Sequence, residues 1–243
     1  MKPTITLCLV VCLNLTIQAR QRMQYKNERL GISFMYTRYG DDVEDPVRFC
    51  KYDSLVYSLK AYDSGLFGLS FLYPSSLHVS YNESDSSIYV GYPQIESNSA
   101  GNVFPVIRIY YTMETFEQIA RREGFKHAAL YGDTAKLWLS EGGRGSAQEA
   151  QSLEGSQWRG LRGMGEMGLF TNTGYTGPAP TLSSFLVSKI VDRTSIVCSY
   201  WNGPLSDNVD QAPELQFQLC EAQFYDFVAS ITFRANPKII RGQ

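Results

Sequence analysis

Histidine is nearly absent from this sequence, with His78 and His127 the only two in 243 residues. No H-E-x-x-H, C-x-x-C or G-x-S-x-G occurs, so the usual zinc sites and the serine-hydrolase elbow lack their signatures. An excess of one charge is missing too. Lysine and arginine number 22 against 24 acidic residues, a balance that argues against nucleic acid as a partner. Cysteine is scarce, with five in the chain. Cys8 and Cys12 lie in an N-terminal targeting segment, which leaves Cys50, Cys198 and Cys220. Three thiols allow at most one internal bridge, and three buried apolar thiols fit the same residues as well. The sequence does not choose the pair.

The longest apolar stretch, Ile5 to Ile17, is too short to span a bilayer comfortably. Lys2 precedes it, and Ala19 offers a small residue before Arg20, although Ile17 is bulky for the position two residues upstream of a cleavage point. Residues 1–19 are expected to be a cleaved signal peptide and 20–243 a single domain, secreted or periplasmic, with no stable membrane span afterwards.

What is present is a repeat. Tyr25, Gly31, Ser33, Phe34 and Tyr36 recur as Tyr62, Gly68, Ser70, Phe71 and Tyr73, without a gap, 37 residues later. In the second copy Phe67, Leu69, Phe71 and Tyr73 fall on one side of an extended strand, which Pro74 should close. Ser54 to Tyr62 also alternates, so 54–73 reads as a hairpin around Asp63-Ser64-Gly65. Between the copies, Asp41, Asp42, Glu44 and Asp45 lack the ligand spacing and turn glycine of a calcium loop and read as a solvated turn.

Further strands are expected at Leu77–Tyr81, Ser87–Tyr92 and Val106–Tyr111. A helix should follow from Met113 to Glu123, capped by Thr112 and stopped by Gly124, with Met113, Phe116, Ile119 and Ala120 as its apolar stripe. Phe125–Tyr131 and Thr134–Ser140 form one hairpin, and Thr181–Lys189 and Thr194–Trp201 another. A closing helix runs from Pro213 to about Ala229, buried through Phe217, Cys220, Phe224 and Phe227. Ser230 to Phe233 adds a short strand or extends that helix.

Residues 141–180 hold half of the chain's 20 glycines. Trp158, Leu161, Met164, Met167 and Phe170 recur there every third residue, which suits neither one strand face nor a glycine-rich helix. A long loop with its apolar side chains tucked onto the body is expected. Gly163-Met164-Gly165-Glu166-Met167-Gly168 matches G-x-G-x-x-G by letter but lacks the strand-to-helix setting of a dinucleotide site. A Cys/His pair from Cys50 or Cys198 has no supporting signature, and Asp207 and Asp210 read as turn residues. Sixteen tyrosines and three tryptophans supply flat amphipathic surface suited to proteins or sugars.

Gly68-Leu69-Ser70-Phe71-Leu72-Tyr73-Pro74-Ser75-Ser76-Leu77 resembles the opening strand of PsbP-like and Mog1-like domains. The order of strands, helix, hairpins and closing helix with Ser230-Ile231-Thr232-Phe233 is similar too, over about 62–234. The resemblance implies an antiparallel sheet between helices and a non-enzymatic accessory role. The first copy at 25–37 and the glycine-rich stretch depart from the pattern, and no photosystem- or GTPase-binding motif is present to transfer.

The expectation is therefore an α+β domain, mostly antiparallel sheet covered by two main helices with a long Gly-rich insertion. It binds a protein or cell-surface partner without catalysis, metal or cofactor. Trp158, Arg159, Arg162 and Tyr175 are the expected contact residues. The rival is a secreted hydrolase of cell-wall or carbohydrate material, using carboxylates such as Asp133 or Asp192.

Overall fold

The computed structural model describes residues 21–38, 59–75, 77–93, 103–129, 136–140, 148–171, 174–191, 193–202 and 221–234. Asp41, Asp42, Glu44, Asp45, Cys50, Asp133, Asp192, Asp207, Asp210 and Cys220 lie outside them, as do the expected signal peptide at 1–19 and the first part of the expected closing helix.

Both copies of the repeat fold as the same hairpin. The first joins β1 (Gln21–Asn27) to β2 (Ile32–Arg38), and the second joins β3 (Leu59–Ser64) to β4 (Leu69–Pro74). Tyr25 stands opposite Phe34 in one and Tyr62 opposite Phe71 in the other, with ring centroids 5.2 and 5.0 Å apart. Each turn ends on a glycine with positive φ, Gly31 at 68° and Gly68 at 63°, a conformation that costs an L side chain about 1 kcal/mol or more. Each turn is also closed by one buried side chain. Asn27 Oδ1 accepts from the Leu30 N–H and Ser64 Oγ from the Phe67 N–H, both at 3.1 Å.

The central layer is a seven-stranded antiparallel sheet. Its strands are β5 (His78–Asn82), β6 (Ser87–Pro93), β7 (Val103–Thr112), β11 (Gln151–Glu154), β12 (Arg159–Thr171), β13 (Gly174–Val191) and β14 (Thr194–Asn202). Their order across the sheet is β11-β12-β13-β14-β7-β6-β5. On the inner face Ile109, Leu186, Cys198 and Tyr200 pack with the aromatic sides of both hairpins and with α2 (Glu221–Ala229). On the outer face Tyr110, Leu161, Phe185 and Val197 pack against α1 (Phe116–Arg122) and β8 (Phe125–Ala129). The strand β8 pairs with β9 (Lys136–Ser140), which pairs in turn with β10 (Gln148–Glu149). A final strand, β15 (Thr232–Phe233), joins the edge of β4.

The fold class is as expected, an α+β domain dominated by antiparallel sheet, with two helices among the described residues. Two expectations are corrected. The first helix begins at Phe116, because Thr115 and Gln118 form a reciprocal capping box. Thr112 instead ends β7, opposite Ser195, and Met113 is left 59% exposed.

The glycine-rich stretch is not a long loop. It supplies β10, β11, β12 and the start of β13, and its G-x-G-x-x-G letters lie inside a strand. Glycine is needed there for proximity. A Cβ on Gly160 would lie 1.9 Å from the Phe185 carbonyl oxygen, and one on Gly163 would lie 2.7 Å from Ser140 Cβ. Of the large apolar residues spaced by three, Trp158 packs on the inner face and Leu161 on the outer, which a strand buried on both faces accommodates.

Candidate functional site

Along the outer face, where α1 ends, runs an open groove of about 400 Å³. The last helical residue, Arg122, is followed by Glu123 and by Gly124 at φ 85°. That left-handed residue turns the chain back so that Phe125 enters β8 against Phe185, ring centroids 5.4 Å apart. The floor comes from β13 and β14, where Ser183 pairs with Trp201 and Phe185 with Ser199. Two small hydroxyl side chains between large rings leave the depression.

The wall is a run of tyrosine and arginine. The Arg108 guanidinium lies 4.6 Å from the centre of the Tyr110 ring, and that of Arg122 lies 4.4 Å from the same ring. Arg108 also approaches the Tyr89 ring at 5.9 Å, donates to Ser87 Oγ at 3.0 Å and pairs with Asp85 at 3.2 Å. Arg122 pairs with Glu114 at 2.6 Å. The Tyr110 hydroxyl donates to the Glu123 carboxylate. Burial first, then the Glu123 charge and that bond, push the Tyr110 phenol far above its ordinary pKa. Burial and the bond to Asp85 raise Tyr89 as well. Both hydroxyls therefore stay protonated at neutral pH.

Among the described lining residues there is no histidine, cysteine or aspartate, and Glu123, the carboxylate present, is engaged by Tyr110. Ser183 and Ser199 thus have no base beside them in the lining, as an activated nucleophile would need. The groove offers stacking from Trp201, hydrogen bonding from serine hydroxyls, and two guanidiniums held on the Tyr110 ring.

Trp158, Arg159 and Arg162 are not brought to one surface. Trp158 is buried in the inner core. Arg162 is 5% exposed, and its Nε donates to both oxygens of Glu221, itself 1% exposed, at 2.9 and 3.0 Å. Ser184 and Tyr225 also donate to Glu221, at 3.0 and 2.6 Å, and the Phe34 ring covers the guanidinium at 4.8 Å. Tyr175 lies in β13 opposite Phe170, with its side chain outside the described residues. Of the three described side chains, Arg159 alone is exposed on the outer face, its guanidinium 4.3 Å over Phe116 of α1.

The Cys/His pairing is not realised by Cys198. Its thiol is buried on the inner face, which pushes its pKa well up, whereas His127 stacks on Trp138 under the outer layer. Among the described residues no three histidine, cysteine or carboxylate side chains gather as metal ligands.

The sequence reading missed Tyr89, Arg108, Tyr110, Arg122 and Trp201. The alternation of β7 did place Arg108 and Tyr110 on one face. The seating of Arg122 beside them depends on how α1 packs, which local periodicity does not contain.

No protein-family model and no curated protein matches the chain. Among solved structures it is similar to the Ran-binding protein Mog1p of Saccharomyces cerevisiae, at 9% identity and a TM-score of 0.38, over 73% of this chain and 96% of that one. It is similar also to a Bacteroides thetaiotaomicron VPI-5482 protein, at 12% identity and a TM-score of 0.35, over 73% of this chain. The match spans about half of that protein's length, 49%. The resemblance to the Mog1-like fold is weak and concerns the fold alone.

Proposed function

We propose that this chain is an exported, non-catalytic accessory protein and that the groove beside α1 receives part of a protein or cell-surface partner. The observation that carries the reading is the Arg108–Tyr110–Arg122 stack bordering an open floor of Ser183 and Ser199 beside Trp201. Guanidiniums already held on a ring lose little freedom when a partner arrives, and aromatic and arginine side chains anchor interfaces well. Export rests on the charged start, apolar run and small residue of 1–19.

Partner recovery from the exported fraction tests both points. The double substitution Arg108→Ala with Trp201→Ala is expected to cut recovery by at least about tenfold, on the scale of losing one interface anchor. Its thermal unfolding should change little beside that loss. Full recovery with the groove stripped in this way overturns the assignment. Retention of 1–19 on the exported chain, read by intact mass, overturns the cleaved-signal reading.

A further inference from the structure

The central sheet has two outer edges, β11 at one end and β5 at the other. The β11 side is occupied, since Gln151 donates to the Met35 carbonyl of β2 and Gly155 packs on the Leu30 backbone. Among the described residues β5 pairs with β6 alone. His78, Tyr81 and Asn82 are exposed along it, and Val79 and Ser80 are half-buried.

A bare strand edge invites pairing with another chain, and charged side chains, proline or bulges normally blunt it. The other edge strands among the described residues carry such charges. β1 has Lys26, β3 Lys60, β8 Lys126, β10 Glu149 and β11 Glu154, while β2 ends at Arg38 and β15 runs into Arg234. β5 reads His78-Val79-Ser80-Tyr81-Asn82, without lysine, arginine, carboxylate or proline, and meets β6 without a bulge.

The strand is also compatible with its own reverse. Paired antiparallel over its whole length with a second β5, it sets Ser80 opposite the partner's Ser80. Val79 then stands opposite the partner's Tyr81, and His78 opposite the partner's Asn82. Val79 and Tyr81 lie on the inner face, across from Val90 and Ile88 of β6, so a β-branched residue meets an aromatic one there. Ser80 lies on the outer face, across from Tyr89 of the groove wall. No like charges meet in this register.

We infer that β5 is the contact through which two copies of this chain associate about a two-fold axis, joining their sheets edge to edge. The axis stands perpendicular to the sheet, so the outer faces of both copies lie on the same side. The row of Ser199, Arg108, Tyr89 and Ser80 then runs on into the partner's Ser80 and the partner's Tyr89. The two grooves beside α1 open on one continuous surface, where a ligand with two matching segments is held at both. The contact does not rest on the groove reading and stands whatever the groove binds.

Sedimentation velocity on the full chain from about 1 to 100 μM covers the range in which a modest contact forms. The mass should double with concentration, and amide exchange in β5 should slow about tenfold or more as it does. Ser80→Lys and Ser80→Glu each set like charges across the axis, and each should weaken association by at least about tenfold. An equimolar mixture of the two should associate at least as tightly as the wild type, because opposite charges then meet. Exchange in the wild-type chain decides by itself if either variant fails to fold. A wild-type chain that stays monomeric throughout overturns the inference. Association with unchanged exchange in β5, or undiminished in both variants, puts the contact elsewhere and overturns it too. Two monomeric variants that ignore each other when mixed overturn the two-fold register.

Discussion

Arg162 and Glu221 show how a residue's type can mislead about its place. An arginine between glycines looks exposed in the sequence, yet here it is an inner-face side chain whose charge is met by a carboxylate at the first turn of α2. The pair sits in a saturated network of Ser184, Tyr225 and Gln151. Removing one member leaves an uncompensated charge in the core. Arg162→Met alone is expected to cost about 3–5 kcal/mol of unfolding free energy in denaturant titrations. Arg162→Met combined with Glu221→Leu should recover most of that loss, since no charge then stays buried. Nothing local in the sequence announced this partnership, because 59 residues separate the two. Glycine misled in the same way. At Gly160 it answers a neighbouring backbone 1.9 Å from where a side chain would begin, and only the pairing of β12 with β13 reveals that need.

At the scale of the element, the hairpins were the most legible part of the chain. Alternation placed Phe67, Leu69 and Phe71 on one side of a strand, and the structure buries all three. The equivalence of the two turns makes a paired expectation. Asn27→Ala and Ser64→Ala each leave a buried N–H without its acceptor, so each should cost about 1–3 kcal/mol, with Asn27→Ala the more costly because its amide also donates to Asp226 at 3.2 Å. Matched denaturant titrations check both the range and the order. The start of α1 was misread because Thr112 and Thr115 both fit a cap. Only Thr115 has Gln118 three residues on to close the box, whereas Thr112 has Thr115 there. Thr115→Ala should therefore cost about 1 kcal/mol, and Thr112→Ala should leave the helix cap intact.

At the scale of the molecule, one sheet with two buried faces explains the abundance of tyrosine. Several of those rings are buried with their hydroxyls inside. Tyr25 is pushed up to about 12 from an ordinary 10.0, chiefly by burial. Burial raises Tyr111 and Tyr225 too, and lifts Cys198 from 9.0. A raised folded-state pKa means that the folded chain holds its proton more tightly than the unfolded chain. That contribution is complete below the unfolded values and is lost as pH rises through the folded ones. The denaturation midpoint should therefore be insensitive to these groups up to about pH 8 and fall steadily beyond it. A flat midpoint through about pH 11 would contradict their burial.

The order of the layers was beyond local reading, since it depends on which strand pairs with which. The repeat leaves a last consequence for how the chain assembles. Phe34 meets Tyr225 at 6.0 Å and Phe71 meets Phe227 at 4.8 Å, in nearly the same edge-on pose, so α2 offers two berths and the chain makes two similar keys. A young chain that docks the wrong hairpin first has to let go before it can finish.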